Sequence, residues 1–199
     1  MAVALWAARM ERLLSGREEK AMTLLLPESR RQRLERVQRS DKRQEVLCAY
    51  TMLYLALRQQ YGWRRTPEIE LSSMGKPFFP EFPEVHFNIS HTAGAVLVGV
   101  SDEPVGVDIE RIRPVSLRYM QRIAGVATEE AFYRSWVCRE ARAKRAGAGI
   151  GALIGQESPL QNGEHFYFLD VFDGYVAGVA TRSEEEPGKV HKYFLDEIL

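Results

Sequence analysis

An α+β fold in two pseudo-repeated halves, each a small, mostly antiparallel sheet packed with helices, is what this sequence predicts. Three observations carry that reading. Two hairpin-like stretches lie about 80 residues apart, so that Gly94 falls on Gly174, Val96 on Val176 and Ser101 on Thr181. Both strand pairs end in acids and a proline, at Pro104 and Pro187. Segments of helical period precede each hairpin, and 199 residues suit one domain or two small halves packed together. The halves are expected at 1–105 and 106–199, with a ligand site at their junction, where paired halves often bind.

The elements follow in order. Residues 1–7 read as a first buried strand, apolar but too short to span a membrane and without a basic leader or small-residue cleavage site. Pro27 opens a helical stretch running to about Val37, and Ser40-Asp41 reads as the N-cap of a longer helix. Val46, Leu47, Tyr50, Leu53, Tyr54, Leu57 and Tyr61 form one apolar stripe, and Gly62 stops it. Ile69 and Leu71 suggest a short strand, followed by Gly75-Lys76-Pro77 and a proline-rich loop, 78–83. Val85, Phe87 and Ile89 alternate with His86, Asn88 and Ser90, then Ala93-Gly94 turns the chain into the apolar run 95–100. Beyond the strand 106–110 the chain is mixed as far as Gly125. Thr128, with Glu129 and Glu130 behind it, starts a helix properly, and Gly147-Ala148-Gly149-Ile150-Gly151 ends it. Asp173-Gly174 turns the second hairpin.

Bulk properties exclude several classes. Twenty-seven basic residues against 27 acidic ones leave no net charge to drive nucleic-acid binding, although residues 30–43 make a local basic field that is either a solvated helix face or an attractor of phosphate. Cys48 and Cys138 form no CxxC pair, so the expectation is a reduced, cytoplasmic, non-membrane protein with neither zinc site nor disulfide.

In Gly106-Val107-Asp108-Ile109-Glu110, strand alternation sends Val107 and Ile109 to one face and Asp108 and Glu110 to the other. Two adjacent carboxylates repel unless something positive lies between them, most simply a hard divalent cation. Otherwise they are solvated acids on an exposed strand. On the helix, Phe132, Trp136, Glu140 and Ala143 share one face, so Glu140 projects inward unless it merely pairs with Lys144 one turn on. Three carboxylates, Asp108, Glu110 and Glu140, suit magnesium. Ser90 and His91, before a turn, are either phosphate donors or satisfied structural residues.

The order of these pieces is specific: Gly75-Lys76-Pro77, then 87–92 (Phe-Asn-Ile-Ser-His-Thr), then 106–110, then 136–144 (Trp-Val-Cys-Arg-Glu-Ala-Arg-Ala-Lys) and the glycines after it. It resembles the 4'-phosphopantetheinyl transferases, of the monomeric surfactin-synthetase-activating type. The resemblance is strong over about residues 75–151 and compatible elsewhere. It implies transfer of the phosphopantetheine arm of coenzyme A to a serine of an apo acyl or peptidyl carrier protein, releasing adenosine 3',5'-bisphosphate. Carried over, Asp108, Glu110 and Glu140 hold magnesium; Lys76, Ser90, His91 and Lys144 bind phosphates; Arg43 meets the adenosine 3'-phosphate, with Arg30 and Arg33 behind it. Glu140 is the candidate base, helped by Lys144 and His91. Arg139 stands where the family has lysine, and the stretch from Glu110 to Trp136 is shorter than usual. That stretch keeps Arg111, Arg113, Arg118 and Arg122 to face an acidic carrier, with Met120 and Ile123 as apolar contacts. The competing reading is a non-catalytic coenzyme A or carrier-protein binding module, and an intact carboxylate set opposes it.

Overall fold

The computed structural model describes residues 3–147, 160 and 162–199. The glycine-rich run beyond Gly147 lies outside the described residues. Five helices and nine strands are seen among them.

The first sheet has the order β4-β5-β1-β9, from β1 (Ala4–Arg9), β4 (His86–Thr92), β5 (Ala95–Ser101) and β9 (His191–Phe194). The second has the order β6-β8-β7, from β6 (Gly106–Arg111), β7 (His165–Leu169) and β8 (Tyr175–Thr181). A two-strand ribbon, β2 (Glu70–Leu71) with β3 (Pro77–Phe78), stands apart. The helices are α1 (Gly16–Leu25), α2 (Glu28–Leu34), α3 (Ser40–Tyr61), α4 (Leu117–Ala124) and α5 (Glu129–Ala146). All sheet pairings are antiparallel except β1 with β9. The same strand-helix-hairpin order occurs twice: β1, α3, β4-β5 and then β6, α5, β7-β8, and in each the second hairpin strand pairs with the leading strand. β9 crosses back to join the first sheet. No helix among the described residues is long and apolar enough to cross a membrane.

Alternation builds the layers. Trp6, Ala8, Phe87, Val96 and Val98 face the buried side of α3, where Leu47, Leu53 and Leu57 of the expected stripe are joined by Met52 and Ala56. Leu5, Ala7 and Leu97, from the other face of the first sheet, pack on Val107, Ile109, Ala177 and Val179 of the second. The outer face of the second sheet meets α4 and α5 through Val176, Phe132, Tyr133 and Val137. Asp108 and Glu110 therefore turn toward α5.

Four elements differ from the sequence expectation. α1 precedes Pro27, opened by a full capping box in which Ser15 accepts from Glu18 N and Glu18 reaches back to Ser15 N. α3 has Arg39, not Ser40 or Asp41, at its N-cap, because Asp41 is paired with the Arg39 guanidinium. α4 fills the stretch read as mixed, capped by Ser116 and closed by Gly125 at φ +68°. Its Met120 is 3% exposed and buried with Phe132, so it offers nothing to a partner; Leu117 and Tyr119 are the exposed apolar residues there. The proline-rich loop buries Phe79 against Phe87 and Trp63. Both cysteines are free, and burial pushes the Cys48 thiol up to about 12.

α5 crosses directly over the start of β6. A Cβ at Gly106 would collide with Ala141 O and Arg145 N of that helix. Overpacking costs about 1–3 kcal/mol when side chains can yield, and backbone cannot. Gly106→Ala should therefore lower Tm by roughly 6–12 °C; a melt within about 2 °C of the parent would show that α5 moves aside freely.

Candidate active site

The carboxylate strand β6 lies along the edge strand β4, and side chains of β4 bind it. Asn88 Oδ1 accepts from Val107 N at 2.9 Å and Ser90 Oγ accepts from Ile109 N at 3.3 Å. Ser90 Oγ in turn donates to Asp108 Oδ1 at 2.7 Å, and Thr92 Oγ1 donates to Glu110 Oε2 at 3.0 Å. Residues 88, 90 and 92 share one face of the strand, so one period-two pattern serves both backbone and carboxylates.

Lys144 enters from the last turn of α5. Its Nζ donates to Asp108 Oδ1 at 2.6 Å and to Ser90 Oγ at 3.0 Å. The positive group between the expected carboxylates is thus an ammonium on Asp108, with Glu140 one helical turn before it. Asp108 is 2% exposed, and its second oxygen, Oδ2, is buried with no hydrogen-bond partner. Such an orphan costs about 1–3 kcal/mol, more for a charged group, unless a ligand supplies the missing partner.

Glu110 and Glu140 both have carboxyl pKa values above the usual range. For Glu110 burial dominates and Asp108 adds to it. For Glu140 burial dominates, Lys144 opposes, and Asp108 and Glu110 push further up. Asp108, Glu110, Glu140 and Lys144 therefore form one electrostatic cluster at the junction of the sheets with α5. Among the described residues no three Asp, Glu, His or Cys side chains are already gathered as a metal cage.

The remaining expected residues lie around this cluster. Ser90 and His91 leave opposite faces of β4, so they are not a joint donor pair. His91 turns toward α3, where its Nδ1 meets Glu45 Oε2 at 2.9 Å, and burial lowers its pKa against the pull of Glu45. Lys76 donates to Val105 O at 3.2 Å and to Arg145 O at 2.8 Å, in the wall of a cleft of about 410 Å³ also lined by His86, Phe87 and Gly147. Burial, with the nearby Arg145 charge, lowers the Lys76 ammonium to about 8. Arg43 is held by Glu19, at 2.8 Å, and by the carbonyl of Leu34, at 2.7 Å, clasping α1, α2 and α3 together. Arg30 is buried, donating to Ile69 O at 3.2 Å, while Arg33 is exposed. Arg139 donates to Ile123 O at 2.8 Å and ties α5 to α4.

Three neighbours of the cluster carried no assigned role in the sequence: Asn88, Thr92 and Glu45. Asn88 and Thr92 were readable as polar residues alternating with Phe87, Ile89 and His91. Glu45 had no such signal, since with Lys42 it looks like an ordinary surface pair three residues apart on a helix.

Compared with proteins of known name, the chain is 29% identical over 194 residues to the 4'-phosphopantetheinyl transferase Sfp of Bacillus subtilis (strain 168), covering 90% of this chain and 86% of that protein. A further Bacillus subtilis 4'-phosphopantetheinyl transferase is 24% identical over 185 residues, 86% of this chain and 82% of its own length. The 4'-phosphopantetheinyl transferase AcpT of Escherichia coli (strain K12) is 33% identical over 108 residues, 46% of this chain and 55% of its own. No family model matches the chain.

The raised Glu140 pKa has a definite consequence for stability. A carboxyl whose folded-state pKa lies above its unfolded value binds more protons when folded; its contribution is fully present below the unfolded pKa, about 4.3, and is lost as pH rises through the folded value. With a chelator present, Glu140→Gln should melt higher than the parent at pH 8, and the gap should close toward pH 4. A gap that widens toward acid would contradict the raised pKa.

Proposed function

We propose, for a chain that stands among the 4'-phosphopantetheinyl transferases of the surfactin-synthetase-activating type, that it moves the phosphopantetheine arm of coenzyme A onto a serine hydroxyl of an apo carrier protein. Adenosine 3',5'-bisphosphate is the other product. The observation that carries this reading is the cluster itself: a buried aspartate with one oxygen held by Ser90 and Lys144 and the other without a partner, beside two carboxyls of raised pKa.

That donor set fits magnesium, since the unpartnered Asp108 Oδ2 is a hard oxygen and Glu110 and Glu140 supply others. When bound there, magnesium would neutralise charge on the pyrophosphate oxygens of coenzyme A. The reaction forms a bond from the serine oxygen to the β-phosphorus and breaks the bond from that phosphorus to the bridging oxygen. The serine proton goes to Glu140, whose raised pKa brings it nearer the operating pH of a general base. Lys144 has a third N–H beyond its two bonds and offers it to a phosphate oxygen, while the first two hold Ser90 and Asp108 in place. His91 and Lys76 stand as further phosphate contacts. For Lys76 this requires release of the carbonyls of Val105 and Arg145, which it now caps. Arg43 would contact the 3'-phosphate by giving up part of its hold on Glu19 or on the carbonyls of Leu34 and Val37. On α4, exposed Leu117 and Tyr119 beside Arg118 and Arg122 suit an acidic amphipathic carrier helix.

The test is to incubate the protein with coenzyme A, magnesium and several apo carriers, and to weigh the carriers by mass spectrometry. A mass gain of one phosphopantetheine arm is expected on at least one carrier, lost on chelation and restored by magnesium. Glu140→Gln should slow it by at least about 100-fold without unfolding. Carriers that bind but never gain mass would favour a non-catalytic binding module.

A further inference from the structure

Glu45 is a buried carboxylate that the transfer reaction, as derived above, does not use. It lies on α3 with its side chain 5% exposed, and both its oxygens accept from Lys42 Nζ at 2.8 Å. Its Oε2 also lies 2.9 Å from Nδ1 of His91, whose side chain is 38% exposed. An ionised carboxylate only accepts hydrogen bonds, so the ring nitrogen facing it must carry the proton. Nε2 is then the nitrogen directed away from α3. The charged groups that face this imidazole are Glu45 and Lys42 of α3 and Lys144 of α5.

We infer that Glu45 is a positioning residue for His91: it fixes the proton on Nδ1, presents Nε2 to a phosphate oxygen of the substrate, and stabilises the imidazolium that forms when the phosphate arrives. This rests on the proposed binding of coenzyme A at the same junction. The physical logic is that of a base held by a carboxylate. In the free protein, burial and the two lysines disfavour a positive ring, so the imidazole is poised on the neutral side of its titration. A phosphate oxygen at Nε2 reverses that balance, since the cation then has an anion on each side. The proton comes from solvent to Nε2, and no bond other than that N–H forms. Substrate binding should thus draw up a proton, and Glu45 should be responsible for a share of it. A carboxylate that serves only to anchor Lys42 would leave the proton count unchanged.

Two measurements test this. In the wild-type protein, ¹⁵N-resolved NMR of the histidine rings should find His91 as the Nδ1–H tautomer; the Nε2–H tautomer would overturn the inference without any variant. Calorimetric titration with coenzyme A at fixed magnesium, in buffers of different ionisation enthalpy near pH 7, should show proton uptake by the wild type that is reduced in Glu45→Gln. The variant should also bind about tenfold more weakly, as expected for losing a hydrogen bond to a charged group, and Glu45→Asp should recover part of both. Equal proton uptake in wild type and Glu45→Gln would overturn it. If neither protein binds coenzyme A, the proposed function fails, while the tautomer still decides what Glu45 does.

Discussion

The seam between β4 and β6 is the constraint on which the rest of this structure depends. These are edge strands of two different sheets, and no backbone ladder joins them. Their junction is made by side chains at every second residue of β4, with Asn88 and Ser90 taking up the amides of Val107 and Ile109. A buried amide left unmet costs about 1–3 kcal/mol, so the seam selects one register strongly. That register is also the site's: a slip of one residue would turn Asp108 and Glu110 into the apolar layer and Val107 toward α5. Fold and chemistry are specified by one row of polar side chains, Asn88 on the backbone, Thr92 on a carboxylate and Ser90 on both.

Charge is arranged around the seam by local neutralisation. The chain's equal count of acids and bases hides many local balances, three of them at or beside the candidate residues. Lys144 answers Asp108, Lys42 answers Glu45, and Glu19 answers Arg43. Glu110 and Glu140 share the neighbourhood of Asp108, and this gathering of acids suits an incoming cation. Within the basic run at 30–43, Arg39 pairs with Asp41, Arg43 joins three helices, and Arg30 lies beneath the surface over the ring of Tyr50.

Much of this was legible in the sequence where a signal is short-range. Gly62 and Gly147 stop their helices at φ +70°, Gly94 and Gly174 turn their hairpins at positive φ, and Thr128 caps α5 through Ala131 N. The alternation over 106–110 gave the two faces of β6 correctly. The capping box at Ser15 was equally local but heads a helix with a single fully buried apolar residue, Met22, so no stripe drew attention to it. α4 is only eight residues long and sits between two breakers. The facts that no pattern could supply are tertiary: that Lys144 reaches Asp108, that Lys76 caps carbonyls just ahead of β6 and in the last turn of α5, and that Glu45 meets a histidine 46 positions away. Each depends on which layers are stacked, and periodicity describes one layer at a time.

The return of β9 to the first sheet changes how the two halves relate. β6, α5 and β7-β8 repeat the plan of β1, α3 and β4-β5, yet the strand that follows the repeat pairs in parallel with β1, and the core between the sheets draws on both halves. Separating the halves would expose the apolar faces of both sheets and strip β9 from the first. The molecule is therefore bound into one cooperative unit despite its doubled plan. The seam that carries the carboxylates borders the apolar layer shared by the two sheets, so its protection from exchange is expected to follow that of the layer.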